Sequence, residues 1–258
     1  MTWEVYALRW ATDPARRTSQ WLLGGAGGDG VMPLAYHAFL LRGPDGVVVM
    51  DTAADPARVE RYGKRDYHGL EDALGVLGVS PADVRTVVQT HLHWDHAGQP
   101  GLLPSATFHL QRRELAYVNG PAMRHAVLRA GYEIEDIAAM TALLHAGRLA
   151  LHDGRAAIAP GLSLHHVGGH TDGLQVARVS TRRGWMCLAT DAAAHRLNLE
   201  RRIPFPAVFH VGDALDAFDA VTALADDPSL VIPGHDPWVV GAHPPAGSGT
   251  GGWMARLD

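Results

Sequence analysis

The chain has 258 residues, of which 47% are apolar and 19% charged, and a formal net charge of −5. That length and balance suit a folded α/β protein with a substantial core and exclude a disordered or low-complexity chain. With an acidic balance and scattered Lys and Arg, no broad attraction to phosphate backbones is expected, so nucleic acid is not an expected partner.

One domain spanning residues 1–258 is expected. Met1 to Ala11 lacks a basic start followed by a long apolar run, and no segment approaches bilayer length. A membrane partner is therefore not expected, and the chain reads as cytoplasmic. The one cysteine, Cys187, cannot form an intrachain disulfide, and its apolar setting at Trp185–Ala189 reads as core.

Taken in order, Gly24-Gly25-Ala26-Gly27-Gly28 resembles a phosphate loop only superficially. No helix with a Lys-Ser/Thr pair opens after it, so it reads as a surface loop. Ala35–Leu41 and Val47–Met50 flank Gly43-Pro44-Asp45-Gly46 and predict a hairpin. The spacing of Leu70, Ala73, Leu74 and Leu77 predicts a helix over Asp66–Leu77, stopped by Gly78. Ser80-Pro81 begins a short helix, and Arg85–Gln89 reads as a buried strand.

From about Arg112 to His145 the pattern is helical. Leu128, Ile134, Ile137, Met140, Leu143 and Leu144 are expected inward, with breaks at Gly120-Pro121 and Gly131. Strands follow near Leu162–Val167, Leu174–Val179 and Trp185–Ala189, then a helix near Ala214–Ala225 and a strand at Leu230–Ile232. The glycine-rich stretch Gly247–Gly252 reads as a mobile end.

Thr90-His91-Leu92-His93-Trp94-Asp95-His96 follows a predicted core strand directly. No continuous helix could aim His91, His93, Asp95 and His96 at one point, whereas a tight loop can. Imidazoles suit a borderline ion such as zinc, and a carboxylate adds charge compensation. Gly169-His170, Thr190-Asp191 and Gly234-His235 each place one further ligand type in a turn after a predicted strand. Among the 16 histidines, those outside these motifs read as solvent-facing or hydrogen-bonded, apart from His195.

These residues resemble the metallo-β-lactamase superfamily, from about Tyr36 to Asp236. The resemblance implies an αββα sandwich with the helical insertion near 112–145 added to it. It also implies one metal held by His91, His93 and His170, a second by Asp95, His96 and His235, and Asp191 bridging both, with Asp51-Thr52 beneath the site. Two divalent ions, zinc foremost, would share a water and lower its pKa towards about 7, giving a bridging hydroxide.

The zinc β-lactamases carrying this motif have a cysteine where this chain has Asp191, and a flavodiiron oxidoreductase would have a glutamate in place of His93. The words Thr190-Asp191-Ala192-Ala193 and Gly234-His235-Asp236 look most like the N-acyl-homoserine lactonase group. A hydrolase opening a small lactone or related carboxylic ester is therefore implied, with Asp95 carrying the proton. The alternatives are a glyoxalase-II-like thioesterase and an iron-dependent persulfide dioxygenase. Lactonases of this group commonly carry a tyrosine where this chain has Ala194. His195, Tyr36 and Tyr132 are the candidates to replace it, with His195 named as catalytic beside Asp95. Oligomeric state is left open, a homodimer being compatible.

Overall fold

The computed structural model describes every residue except Gly27, so that part of the predicted glycine loop lies outside the described residues. The strands in chain order are β1 (Glu4–Asp13), β2 (Leu34–Gly43), β3 (Gly46–Met50), β4 (Thr86–Val88), β5 (Thr107–Gln111), β6 (Leu149–His152), β7 (Ala156–Ala159), β8 (Leu162–His166), β9 (Gln175–Thr181), β10 (Gly184–Thr190), β11 (Val231–Pro233) and β12 (Met254–Arg256). The helices are α1 (Pro56–Arg61), α2 (Leu70–Val76), α3 (Arg112–Val118), α4 (Ala126–Arg129), α5 (Ile134–His145), α6 (Arg196–Arg201), α7 (Val211–Leu224) and α8 (Trp238–Gly241). One sheet runs β12-β1-β2-β3-β4-β5-β6 and the other β11-β10-β9-β8-β7.

Side-chain alternation along the strands builds the layers. From β1, Val5 and Ala7 join Phe39, Leu41, Met50, Leu164 and Leu188 between the sheets. Their alternates Tyr6, Leu8 and Trp10 turn to the outer face, where Leu70 and Leu74 of α2 and Ile137 and Met140 of α5 cover them. On β10, Met186 and Leu188 face inward, while Cys187 and Ala189 pack under Ala217, Phe218 and Val221 of α7. Both faces of both sheets are covered, giving the αββα sandwich.

The hairpin, the Ser80-capped turn and the strand before His91 lie where the sequence places them. The predicted helix at Asp66 instead begins at Leu70: Asp66 has φ 52°, outside the right-handed helical region, and Gly69 precedes the first turn. Within the helical insertion the chain breaks at 120–121 and 131, as expected. Ile137, Met140 and Leu143 are buried, but Ile134 and Leu144 are exposed. The inward stripe of α5 includes Asp136 instead, whose carboxylate accepts a 2.7 Å bond from Arg58 of α1. Nor is 247–252 a free end: Thr250 is buried, Ala246 N–H donates to Met254 O at 3.0 Å, and β12 pairs with β1.

Gly173 makes the closest backbone approach in this part of the sandwich. A Cβ there would meet Glu114 N at 2.1 Å and Glu114 Cα at 2.3 Å, which neither backbone can yield without moving α3. Gly173→Ala is expected to destabilise the fold by about 3 kcal/mol, at the upper end of overpacking costs, lowering the thermal midpoint by roughly 6–12 °C. An unchanged midpoint in calorimetry would show that the α3 contact is not tight.

Candidate metal centre

Strand ends from both sheets meet at one rim. β4 runs into His91–His96, β8 into His170, β10 into Asp191 and β11 into His235, while β3 ends at Asp51. Because β3 pairs parallel with β4 and β10 parallel with β11, each pair presents its C-terminal ends side by side. Three non-glycine residues at this rim hold left-handed conformations: Asp51 at φ 66°, Ala53 at 56° and Thr190 at 42°. Such strain persists only where surrounding packing enforces it.

All the ligand candidates read from the sequence converge, in groups that could each hold an ion: His91, His93 and His170; His91, His96 and Asp191; and Asp95, His96 and His235. His93 Nδ1 lies 3.1 Å from His91 Nε2 and 2.9 Å from His170 Nε2. Asp191 Oδ2 is 3.2 Å from His170 Nε2, and its Oδ1 is 3.3 Å from His96 Nε2 and 3.1 Å from His235 Nε2. Asp95 Oδ2 stands 3.7 Å from both His96 Nε2 and His235 Nε2. Donors about 2.0–2.1 Å from a tetrahedral ion are separated by about 3.3–3.4 Å, so these spacings fit metal ligation. His96 Nε2 and Asp191 Oδ1 are also buried with no hydrogen-bond partner, which a cation between them would resolve.

The rear nitrogens fix the tautomers. His96 Nδ1–H donates to Asp51 Oδ2 at 2.8 Å, His235 Nδ1–H to Ala35 O at 2.9 Å and His170 Nδ1–H to Ala207 O at 2.5 Å. His91 Nδ1–H donates to Thr90 Oγ1 at 3.1 Å, and that hydroxyl donates in turn to Asp51. Each Nε2 lone pair therefore faces the cluster.

Burial and the neighbouring imidazoles push His91 and His93 well below the usual histidine range, leaving them neutral. Burial acts in the same sense on His96 and His235, but Asp191 and Asp95 outweigh it and raise both. Burial would raise Asp191, yet His235, His96 and His170 hold it well below the ordinary carboxylate range.

His195, expected as catalytic, is not brought to the cluster. Its Nδ1 accepts from Leu197 N–H at 3.0 Å as the cap of α6, and its Nε2 lies 3.4 Å from Asp236. It is therefore tied into local structure and does not line the cavity beside the cluster. Tyr132 is also committed, its hydroxyl donating to Glu114 Oε1 at 3.1 Å. Tyr36 does line that cavity of about 330 Å³. Its ring packs edge-on to His235 at 5.2 Å, and burial followed by Asp95 and Asp13 keeps its phenol protonated, well above the usual tyrosine range. Ala194 itself is buried, beside Pro204, Phe205 and Val208.

Glu114 escapes sequence reasoning. It is fully buried, and its carboxylate accepts from Leu92 N–H at 3.1 Å, Tyr132 O–H at 3.1 Å, Thr171 O–H at 2.7 Å and Gly173 N–H at 3.1 Å. It thus ties together the loops carrying His91, His93 and His170. Tyr132 packs on His93 at 4.5 Å, and a Cβ on Gly131 would sit 2.5 Å from His93 Cδ2. In Arg112-Arg113-Glu114-Leu115 this glutamate reads only as a helix-surface charge.

Glu114→Gln keeps the shape but turns an amide N–H₂ towards two donors. It is expected to cost more stability than Tyr132→Phe, by about 1–3 kcal/mol per donor left unpaired. Thermal denaturation of the two variants checks this; equal midpoints would show that the four-donor cradle is not what holds these loops.

The metallo-beta-lactamase superfamily model matches residues 31–235. N-acyl homoserine lactonase AttM of Azorhizobium caulinodans is 36% identical over 110 residues, covering 38% of this chain. The chain spans about two fifths (41%) of the length of that relative. An N-acyl homoserine lactonase of a Bacillus species is 25% identical over 225 residues, covering 80% of this chain and 83% of the relative. The solved structure of an N-acyl homoserine lactone hydrolase, with the product N-hexanoyl-L-homoserine at its catalytic metal center, is 25% identical. It superposes with a TM-score of 0.72, covering 92% of this chain and 94% of the other. With its strand-end donor cluster and a family match over most of its length, the chain belongs to the metallo-beta-lactamase superfamily.

Proposed function

We propose that the chain is a dinuclear metal-dependent hydrolase that opens a lactone or a related carboxylic ester. The observation carrying this reading is the position of Asp191, whose two oxygens reach the His170 side and the His96–His235 side of one donor cluster. His91, His93 and His170 would hold one ion and Asp95, His96 and His235 the other, with Asp191 serving both. Mixed imidazole and carboxylate donors at these spacings suit zinc best.

When bound, such a pair of ions supplies a hydroxide at neutral pH and polarises a carbonyl. The chain's own residues do the rest. Asp95, its side chain 12% exposed at the cavity edge, would pass a proton to the departing alkoxide as the ring C–O bond breaks. Tyr36 is the free donor among the three candidates for the Ala194 position, and its hydroxyl would stabilise the carbonyl oxygen as charge develops there. The tyrosine and tryptophan side chains of the cavity, with Leu128 and Val208, would exclude water from the rest of the substrate. Support for a lactone substrate, an N-acyl homoserine lactone among the candidates, comes from the activities of the relatives.

Asp191→Asn removes the negative charge between the two ion positions. It is expected to reduce bound metal below two ions per chain and lactone turnover at least about a hundredfold. Full metal content with full turnover in that variant would end the two-ion reading. Tyr36→Phe is expected to lower kcat/KM roughly tenfold to a hundredfold with metal content retained. A panel of lactones beside a panel of thioesters, read by proton release, separates lactonase from thioesterase. One bound iron and oxygen consumption would instead identify the dioxygenase.

A further inference from the structure

The cavity is chemically lopsided. On one side Val127 and Leu128 of α4 and Val208 and Phe209 present apolar surface. On the other, where β1 ends and β2 begins, Arg16 and Lys64 join Tyr36. The lining carboxylates, Asp95 and Asp191, are committed to the donor cluster.

Lys64 already has an acid partner: its Nζ lies 3.0 Å from Asp13 Oδ2 and 5.4 Å from the centre of the Tyr36 ring. A bridge between Thr12 and Arg65 fixes that stretch against the end of β1. Arg16 differs. Its guanidinium carbon sits 5.7 Å over the ring of Phe205, and its Nε is buried with no hydrogen-bond partner. Among the described residues no carboxylate lies within 4.0 Å of it.

A guanidinium nitrogen buried at a cavity wall with no partner is unfavourable unless an acceptor joins it. A guanidinium presents a planar fork of donors matching a carboxylate in a bidentate manner.

We propose that Arg16, supported by Lys64 and Tyr36, forms a subsite for a carboxylate carried by the substrate, so that the preferred substrates are acidic lactones or esters. The proposal rests on the hydrolase reading above and narrows its substrate class: the anion lies on the β1–β2 side and the apolar part faces α4 and Phe209. A single unpaired guanidinium favours a monoanion over a phosphate dianion.

The test uses the metal-replete protein and two matched pairs: a γ-butyrolactone bearing a ring carboxylate against its primary amide, and N-glutaryl- against N-pentanoyl-homoserine lactone. In at least one pair the wild type is expected to favour the acid about tenfold or more in kcat/KM, with the advantage residing in KM and shrinking as salt is raised. Arg16→Met is expected to lower that preference ratio about tenfold. Ratios near one in both pairs, or a preference that survives Arg16→Met, would overturn the subsite while leaving the lactonase reading intact. No hydrolysis of any lactone by protein holding two metals would overturn the hydrolase reading and the subsite with it.

Discussion

The rim is organised around mutual repulsion. Imidazole nitrogens and carboxylate oxygens stand about 3 Å apart at the wall of one cavity, with lone pairs aimed at shared points. In the protein alone, protons answer part of that repulsion, since carboxylates raise His96 and His235 despite their burial. A pair of cations would answer it more completely and displace those protons. Holding such a cluster requires stiffness, and the sandwich supplies it through two parallel strand pairs, β3–β4 and β10–β11, that bring loops of both sheets to one edge.

Two buried carboxylates that are not ligand candidates carry this geometry into the fold. Asp51 lies under His96 directly and under His91 through Thr90, and Gln89 and the Thr90 N–H also donate to it. Glu114 serves the other side, gathering Leu92, Tyr132, Thr171 and Gly173. Burial raises both above the ordinary carboxylate range, and the donors that face each one oppose that shift, which is the condition for a buried carboxyl to be tolerable. Asp51 thus underlies a candidate ligand of each proposed ion position, and Glu114 adds a second support on the His91, His93 and His170 side.

The ligand residues were legible in sequence because ligation demands residue types at short spacings that chance seldom assembles, and because each follows a strand. Asp51 was legible only through the family resemblance, as the Asp51-Thr52 pair beneath the site. Of the strands that went unread, β1, β5, β6, β7 and β12, the first shows a reason most directly. On β1, Val5 and Ala7 face one core while Tyr6, Leu8 and Trp10 face another, so no polar alternation marks the strand. Glu114 was illegible because its partners are scattered from Leu92 to Gly173 and come together only by tertiary packing. His195 looked functional through adjacency to the ligand motif, but its ring is consumed in capping α6.

The placement of Tyr36 bears on selectivity as well as rate. A donor on the turn after β10 would move with that turn, whereas Tyr36 lies within β2, paired with Ala11 of β1. Its ring is held by Trp10 at 5.0 Å and Trp94 at 5.8 Å, and Trp94 is itself stacked on Tyr62 at 4.0 Å. A phenol so confined has little freedom to follow substrates of different shape, so in the proposed reaction the carbonyl must come to the hydroxyl. Leu128 and Val127 on the short helix α4 close the opposite side, and Val127 is 83% exposed. The wall beside the donors is thus built into a sheet, and the wall opposite belongs to a one-turn helix. In the proposed reaction, variation in the apolar part of a substrate would therefore be absorbed on the α4 side, while the reacting carbonyl would meet the rigid one.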